Sequence, residues 1–179
     1  MRPIASEIDA GLEGIRIGVP SNYFFDALDP EIASIVQNAI DALVMLGAEQ
    51  VQVELGSVER LAAAQLGILT LEAYQNVMAA TDGDITRVNS TLRARLKDGM
   101  DVSMRSGEDL AIALGRLRAE RDDALAGYRR ATGNIDVLVA PVRQRSPPTV
   151  EAARTDYQWL PNFTRPFNAS HQPVVAVPC

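Results

Sequence analysis

The first 55 residues carry the pattern that most constrains the fold, because a strand, a helix and a second strand follow one another there. Residues 15–20 form a short apolar run that proline closes, which predicts a buried strand. Residues 29–47 begin with Asp-Pro-Glu, continue with apolar residues at helical spacing and end at glycine, which predicts a capped amphipathic helix. Apolar and polar residues then alternate over residues 51–55, which is typical of an edge strand buried on one face.

The central part of the chain predicts three helices. A helix capped by Ser57 extends to a break at residues 82–83. A short helix is expected around residues 92–97, and a capping box at residues 106–109 then begins a long helix that reaches about residue 131. The buried stripe predicted for the first of these helices consists of Leu61, Leu66, Leu69, Ala73 and Val77.

Two further strands complete the predicted architecture. Residues 135–140 form a continuous apolar run closed by proline, which predicts a central strand covered on both faces. Residues 174–177 are expected to be a last strand in the same sheet as 15–20 and 136–140. The stripe of the long helix includes Leu114 and Arg121, and a buried arginine would need a carboxylate partner. The alternation predicts an α/β fold, with a mixed sheet and flanking helices.

Composition excludes several classes of function. The net charge of −6 argues against a nucleic-acid partner, because phosphate binding needs a basic surface. The chain has one cysteine, Cys179, and one histidine, His171, so neither an internal disulfide nor a Cys/His metal site is expected, and no cofactor or metal is predicted. No apolar run is long enough for a membrane span and no signal-peptide core is visible, so we expect a soluble, cytoplasmic protein without a membrane partner.

Several segments resemble amidase-signature enzymes in their C-terminal half. The segments are residues 11–20 (GLEGIRIGVP) with the helix after them, 92–99 (LRARLKDG), 135–141 (IDVLVAP) and 163–179 (FTRPFNASHQPVVAVPC). Their order and spacing match that family over nearly the whole chain. His171 stands where members usually carry glycine, and the residues after Pro141 differ from the usual threonine-rich turn. These two departures bear on the substrate and leave the fold expectation intact.

The resemblance implies an amide hydrolase whose catalytic residues lie outside this sequence. Members of the family use a serine nucleophile, a second serine joined through a cis peptide and a lysine, all carried on a Gly/Ser-rich N-terminal half. The only lysine here is Lys97, in a polar helical stretch, and no Gly/Ser-rich segment occurs. We therefore expect residues 1–179 to be a single α/β region, the C-terminal portion of an amidase-signature domain without the catalytic N-terminal half and the last strand and helix. No catalytic residue is assigned, and the chain alone is expected to be inactive.

The same resemblance indicates where substrate would be bound. The family segment that matches residues 163–171 runs near the acyl pocket, which makes Phe163, Asn168 and His171 the candidate substrate-binding residues. Asp82 and Arg87 are a further candidate pair in an irregular loop. Each candidate has a structural alternative, because phenylalanine is usually core, asparagine often caps turns and histidine is often held by hydrogen bonds.

Two functions remain open from the sequence. In the first, the chain is the C-terminal part of a hydrolase that cleaves a carboxamide C–N bond, and it supplies scaffold and part of the substrate pocket. Its partners are then a small-molecule amide substrate and the missing N-terminal amidase half, and the chain alone is expected to self-associate through surfaces that this half would cover. In the second, the chain is a non-catalytic α/β binding or interaction module.

Overall fold

The computed structural model describes residues 11–104, 109–155 and 163–179, and in these ranges helices surround one small sheet. A 3-10 turn at Ile85–Arg87 connects two of the helices. The elements in chain order are β1 Arg16–Pro20, α1 Pro30–Met45, β2 Glu49–Val53, α2 Val58–Ala80, α3 Ser90–Met104, α4 Leu110–Ala131, β3 Val137–Leu138, α5 Val150–Thr155 and α6 Arg165–Ser170.

The three described strands form a parallel sheet in the order β2-β1-β3. Ile17 of β1 stands opposite Gln50 on one side and Val137 on the other. The α/β fold is thus confirmed, as is the edge position of β2. The sheet expected from the sequence was mixed, whereas these strands are all parallel. The central strand is β1, so the prediction of a central strand at 135–140 is wrong for the described sheet.

The predicted strand at 174–177 does not occur. These residues carry no assigned secondary structure and no described strand pairs with them. Val175 is 84% exposed. A strand is stable only when its backbone N–H and C=O groups find partners, and apolar β-branched residues cannot supply those partners by themselves.

A glycine at the centre of β1 lets other elements approach the sheet closely. On one face of the strand, Ile17 and Val19 are buried in a cluster with Ile40 of α1. On the opposite face, a Cβ atom at Gly18 would lie deep inside van der Waals contact with Ile135 Cδ1. The residue just before β3 therefore packs directly onto the β1 backbone, which a larger residue at position 18 would prevent.

Helix α1 forms as its sequence predicts. The Asp29 carboxylate accepts a hydrogen bond from the Glu31 N–H at 2.9 Å, and Pro30 occupies the first helical position, where it costs no hydrogen bond. Val36 and Ile40 are buried against β1. Gly47 ends the segment with φ of +105°, a conformation that glycine adopts readily.

Helix α2 differs from its prediction in the phase of its buried face. Leu66 and Leu69 were expected in the core but are 39% and 58% exposed. Ser57 has φ of +66° and makes no side-chain cap. Because α2 packs against α3, α4 and α6 at once, more than one of its faces is covered and no single stripe defines it. The buried residues are Val58, Leu61, Ala62, Ala64, Ile68 and Leu71.

Helix α4 follows its predicted stripe, with Leu114 and Tyr128 among its buried residues. The cap is Asp109, whose carboxylate accepts from the Ala111 N–H at 2.8 Å, while Ser106 of the predicted capping box lies outside the described residues. Arg121 finds its carboxylate partner in the adjacent Asp122, at 2.8 Å.

Helix α3 is longer than the short helix expected at 92–97, and it continues through Gly99. In the described part of the chain, no helix has both the length and the apolar character that crossing a bilayer requires.

The buried faces of α1 and α4 can be tested by truncation. Ile40 is fully buried and Leu114 is 5% exposed, so Ile40→Ala and Leu114→Ala should each lower the free energy of unfolding by about 2–5 kcal/mol, because each leaves a cavity. Urea titrations measure this change. Ile112→Ala is the matched control on α4, since Ile112 is 61% exposed, and it should change stability much less. Losses under about 0.5 kcal/mol at both buried positions would show that these faces are wrongly assigned.

Candidate functional site

Parallel pairing brings the carboxyl ends of all three strands to one edge of the sheet. The chain leaves β1 at Ser21, β2 at Glu54 and β3 at Val139. In open α/β sheets, ligands bind preferentially at this edge. A binding surface is therefore expected among the loops that begin at this edge.

The loop after β1 is fastened to the segment after β2 by an asparagine. The Ser21 N–H donates to the Val53 carbonyl at 2.9 Å, which continues the strand pairing by one residue. The Leu55 N–H then donates to Asn22 Oδ1 at 2.9 Å, and Asn22 Nδ2 donates to the Leu55 carbonyl at 3.3 Å. The Asn22 side chain thus substitutes for a peptide group of a strand and fixes the start of the loop.

Four aromatic side chains, which we call the aromatic cluster, join this loop to α6. They are Tyr23, Phe24, Phe163 and Phe167. Phe24 lies centrally, with its ring centroid 5.1 Å from that of Phe163 and 5.5 Å from that of Phe167. Such tilted and stacked arrangements add stability beyond the area that they bury. The cluster consequently holds α6 against the loop after β1.

The candidate Phe163 lies inside this cluster. It is 3% exposed and belongs to the same core as Leu61 and Tyr128. In the structure it therefore acts as core, and the described residues leave little of its surface for a ligand.

The other two candidates lie on or just after α6 and face solvent. Asn168 is exposed on the helix, and its backbone N–H donates to the Thr164 carbonyl at 3.0 Å. His171 is exposed at the end of the helix, where its φ of +57° turns the chain sharply. The structure thus places all three candidates in one short segment, one of them buried and two at the surface.

A buried tyrosine fixes the turn at His171. The hydroxyl of Tyr128, which is fully buried on α4, donates to Gln172 Oε1 at 3.0 Å. The buried Ser170 hydroxyl lies 3.1 Å from the Phe167 carbonyl and 3.3 Å from Gln172 Oε1. Burial raises the pKa of Tyr128 to about 12, because it disfavours the phenolate. In the sequence, Tyr128 was predicted only as a member of the buried stripe of the long helix. No pattern indicated that Gln172 would accept a hydrogen bond from it.

The pair Asp82 and Arg87 forms an ion pair of 3.4 Å in the turn after α2. Both side chains are largely exposed, so the pair contributes little to stability. Nearby, the Asp84 carboxylate accepts hydrogen bonds from the side chain and the backbone N–H of Thr86, which lower its pKa. These contacts shape the turn after α2.

Two further reactive side chains lie at the surface. Lys97 is exposed on α3, and Cys179 is a free, exposed thiol. Within residues 11–104, 109–155 and 163–179, no three His, Cys, Asp or Glu side chains converge as they would to hold a metal ion.

The chain is similar in sequence to a known protein family and to several known relatives. The profile of a protein family described as Amidase matches residues 2–179. An amidase of Pseudomonas putida is 34% identical over 193 residues, covering 98% of this chain and 38% of the relative. A glutamyl-tRNA(Gln) amidotransferase subunit of Prosthecochloris aestuarii is 29% identical, covering 97% and 41%. The chain thus spans about two fifths of the length of these relatives.

The fold is also similar to that of a solved structure. The structure of Kluyveromyces lactis allophanate hydrolase superposes with a TM-score of 0.68 at 20% sequence identity, and the match covers 87% of this chain and 25% of that one. At this level of identity, the likeness concerns the arrangement of helices and strands alone.

The raised pKa of Tyr128 predicts how stability depends on pH. Below about pH 10, the phenol is protonated in the folded and the unfolded chain alike. Between about pH 10 and 12 only the unfolded chain releases this proton, so stability should fall, by at most about 1.4 kcal/mol per pH unit.

Urea titrations at several pH values measure this loss. Tyr128→Phe removes the titrating group, so the variant should be less stable than the wild type near neutral pH and should lose less stability on going from pH 10 to 12. Parallel curves for the two proteins across that range would show that the Tyr128 hydroxyl is not buried.

Proposed function

The chain belongs to the amidase family, and on that premise we propose that it supplies scaffold and part of the substrate pocket of a hydrolase that cleaves a carboxamide C–N bond. The observation that carries this proposal is the family match, which covers residues 2–179. The alternative, a non-catalytic α/β binding module, has no comparable observation in its favour.

The catalytic groups come, in this proposal, from outside these 179 residues. A serine hydroxyl attacks an amide only when an adjacent base takes its proton, and in the amidase-signature family that arrangement includes a lysine. The only lysine of this chain, Lys97, is exposed on α3 in a polar stretch. We therefore assign residues 1–179 as one α/β region, the C-terminal portion of an amidase-signature domain, whose N-terminal portion carries the nucleophile.

The contribution of this chain is to shape the acyl side of the pocket. Phe163, Asn168 and His171 lie in one segment that the aromatic cluster joins to the carboxyl edge of the sheet. Phe163 supports the segment from within the core, whereas Asn168 and His171 present polar groups at the surface. These two can donate to or accept from a substrate carboxamide.

Substrate and partners follow from the same proposal. The substrate is a small-molecule amide, and no metal or organic cofactor takes part. Relatives include amidotransferase subunits, so a further subunit is a partner to test for. The single cysteine suits a reducing, cytoplasmic setting.

Activity measurements test the proposal. The product of the whole coding region that contains these residues should release ammonia or amine from a simple aryl or aliphatic amide. The 179-residue chain should show no turnover above background, because Lys97 is its only lysine and lies outside any Ser/Gly loop.

Two results would contradict this division of roles. Hydrolysis by the 179-residue chain that disappears in Lys97→Ala would place the catalytic base within this chain. An inactive product of the whole coding region, tested on both amide classes, would favour the binding-module function instead.

The chain alone is also expected to self-associate. Apolar side chains are exposed at the end of α1 and after α6, where Met45 is 88% and Val175 84% exposed. Exposed apolar residues of this kind tend to find partners or to aggregate. Sedimentation at micromolar concentration should show species larger than the monomer, together with binding of a hydrophobic dye.

Variants identify the surface responsible. Met45→Ser and Val175→Ser together should reduce the association, whereas Lys97→Ser, at a polar exposed position, should not. A reversible monomer without dye binding would contradict the expectation and would favour a self-sufficient domain.

A further inference from the structure

Tyr23 adopts a backbone conformation that aromatic residues rarely occupy. Its φ is +64°, and the Phe24 N–H donates to the Asn22 carbonyl at 2.7 Å, which closes a three-residue turn across Tyr23. A γ-turn with positive φ at its central residue is rare and strained. Glycine adopts positive φ without this strain.

Contacts on both sides hold the strained turn in place. Asn22 is fixed by its two hydrogen bonds to Leu55, and Phe24 is fully buried in the core. The Tyr23 N–H itself donates to Asp26 Oδ2 at 2.8 Å. Strain that the surrounding structure maintains in this way occurs preferentially at ligand-binding and catalytic sites.

The strained turn sets the position of the Tyr23 ring. The ring packs edge-on against Phe24, with centroids 5.0 Å apart, and tilted against Phe163, with centroids 5.7 Å apart. Phe24 and Phe163 are buried, whereas Tyr23 is only partly buried. Tyr23 is thus the member of the aromatic cluster that both contacts the candidate Phe163 and reaches the surface.

Two opposite charges lie around the Tyr23 hydroxyl. Burial raises the pKa of Tyr23, the positive charge of Arg165 on α6 lowers it, and the negative charge of Glu59 on α2 raises it. Small-molecule sites are lined mainly by apolar and aromatic side chains, with a few polar groups among them.

We infer that Tyr23 is a substrate-binding residue and that an aromatic acyl group of the amide substrate packs on its ring. The geometry that carries this inference is the strained turn at the carboxyl end of the central strand, which holds a partly exposed ring over Phe163. Aromatic groups gain from offset or edge-to-face contact with such a ring. The inference rests on the proposed function for the statement that the ligand is a carboxamide. It rests on the aromatic cluster for the statement that the acyl group is aromatic.

Binding of benzamide tests the site directly. Saturation-transfer NMR on the 179-residue chain should detect benzamide, and cyclohexanecarboxamide, whose ring is not aromatic, should bind more weakly. Tyr23→Ala should weaken benzamide binding about two- to tenfold, the amount that one aromatic contact provides. Tyr74→Ala is the matched control, because Tyr74 is a partly buried tyrosine on α2 outside the aromatic cluster, and it should leave binding unchanged.

A second measurement tests the strain independently of any ligand. In urea titrations Tyr23→Gly should be more stable than Tyr23→Ala, because glycine tolerates the positive φ. At Tyr74, in the middle of α2, the order should be reversed, because alanine favours a helix over glycine.

Each result decides for or against the inference. No benzamide binding to the wild type at millimolar concentration, or equal binding to wild type and Tyr23→Ala, would overturn it, as would equal stability of the Ala and Gly variants at position 23. If benzamide binds at Tyr23 but the product of the whole coding region does not hydrolyse amides, the proposed function is contradicted and the aromatic binding site is supported. If hydrolysis occurs and Tyr23→Ala does not change it, the proposed function is supported and the role of Tyr23 in substrate binding is contradicted.

Discussion

The close packing at Gly18 is the constraint on which the rest of the structure depends. Because position 18 has no side chain, Ile135 lies directly against the backbone of β1, and Val53 approaches the same point from β2. Both flanking strands can then pair with β1 in parallel, so their carboxyl ends meet at one edge. The loop with Asn22, the aromatic cluster and α6 are all built on that edge.

The fold could be predicted from sequence where an element packs on one side. Helices α1 and α4 each bury one stripe, and Ile40 and Leu114 lie where the 3.6-residue period places them. Helix α4 packs mainly against α2, whereas α2 packs extensively against α3, α4 and α6. The apolar residues of α2 therefore lie on several faces, and the 3.6-residue period no longer fixes which of them are buried. The apolar run at 135–140 was interpreted as central because a continuous apolar run is typical of a strand covered on both faces. In the structure Leu138 and Val139 do pack into different clusters, yet only two residues of the run pair with a neighbouring strand.

For the candidate site, only the segment of the chain that holds it could be predicted from the sequence. Family resemblance directed attention to residues 163–171, and the structure shows that this segment contacts the loop after β1. Sequence could not show that Phe163 would be buried and His171 exposed, because burial depends on partners more than a hundred residues away. Nor could it reveal Tyr23, since a positive φ at tyrosine follows from hydrogen bonds of Asn22, Phe24 and Asp26 and not from any preference of tyrosine itself.

The sheet order also has a consequence for how the chain is made. Strand β1 pairs with β2 across one helix, but its other neighbour begins about 120 residues downstream, as the contact between Arg16 and Asp136 shows. At about 5–20 residues per second, a ribosome needs about 6–24 s to deliver that partner. During this interval β1, α1 and β2 can already bury Ile17 and Ile40 together, while one edge of the nascent sheet stays open. The surface around Gly18 can thus be covered only after Ile135 and β3 have been made, long after β1 itself.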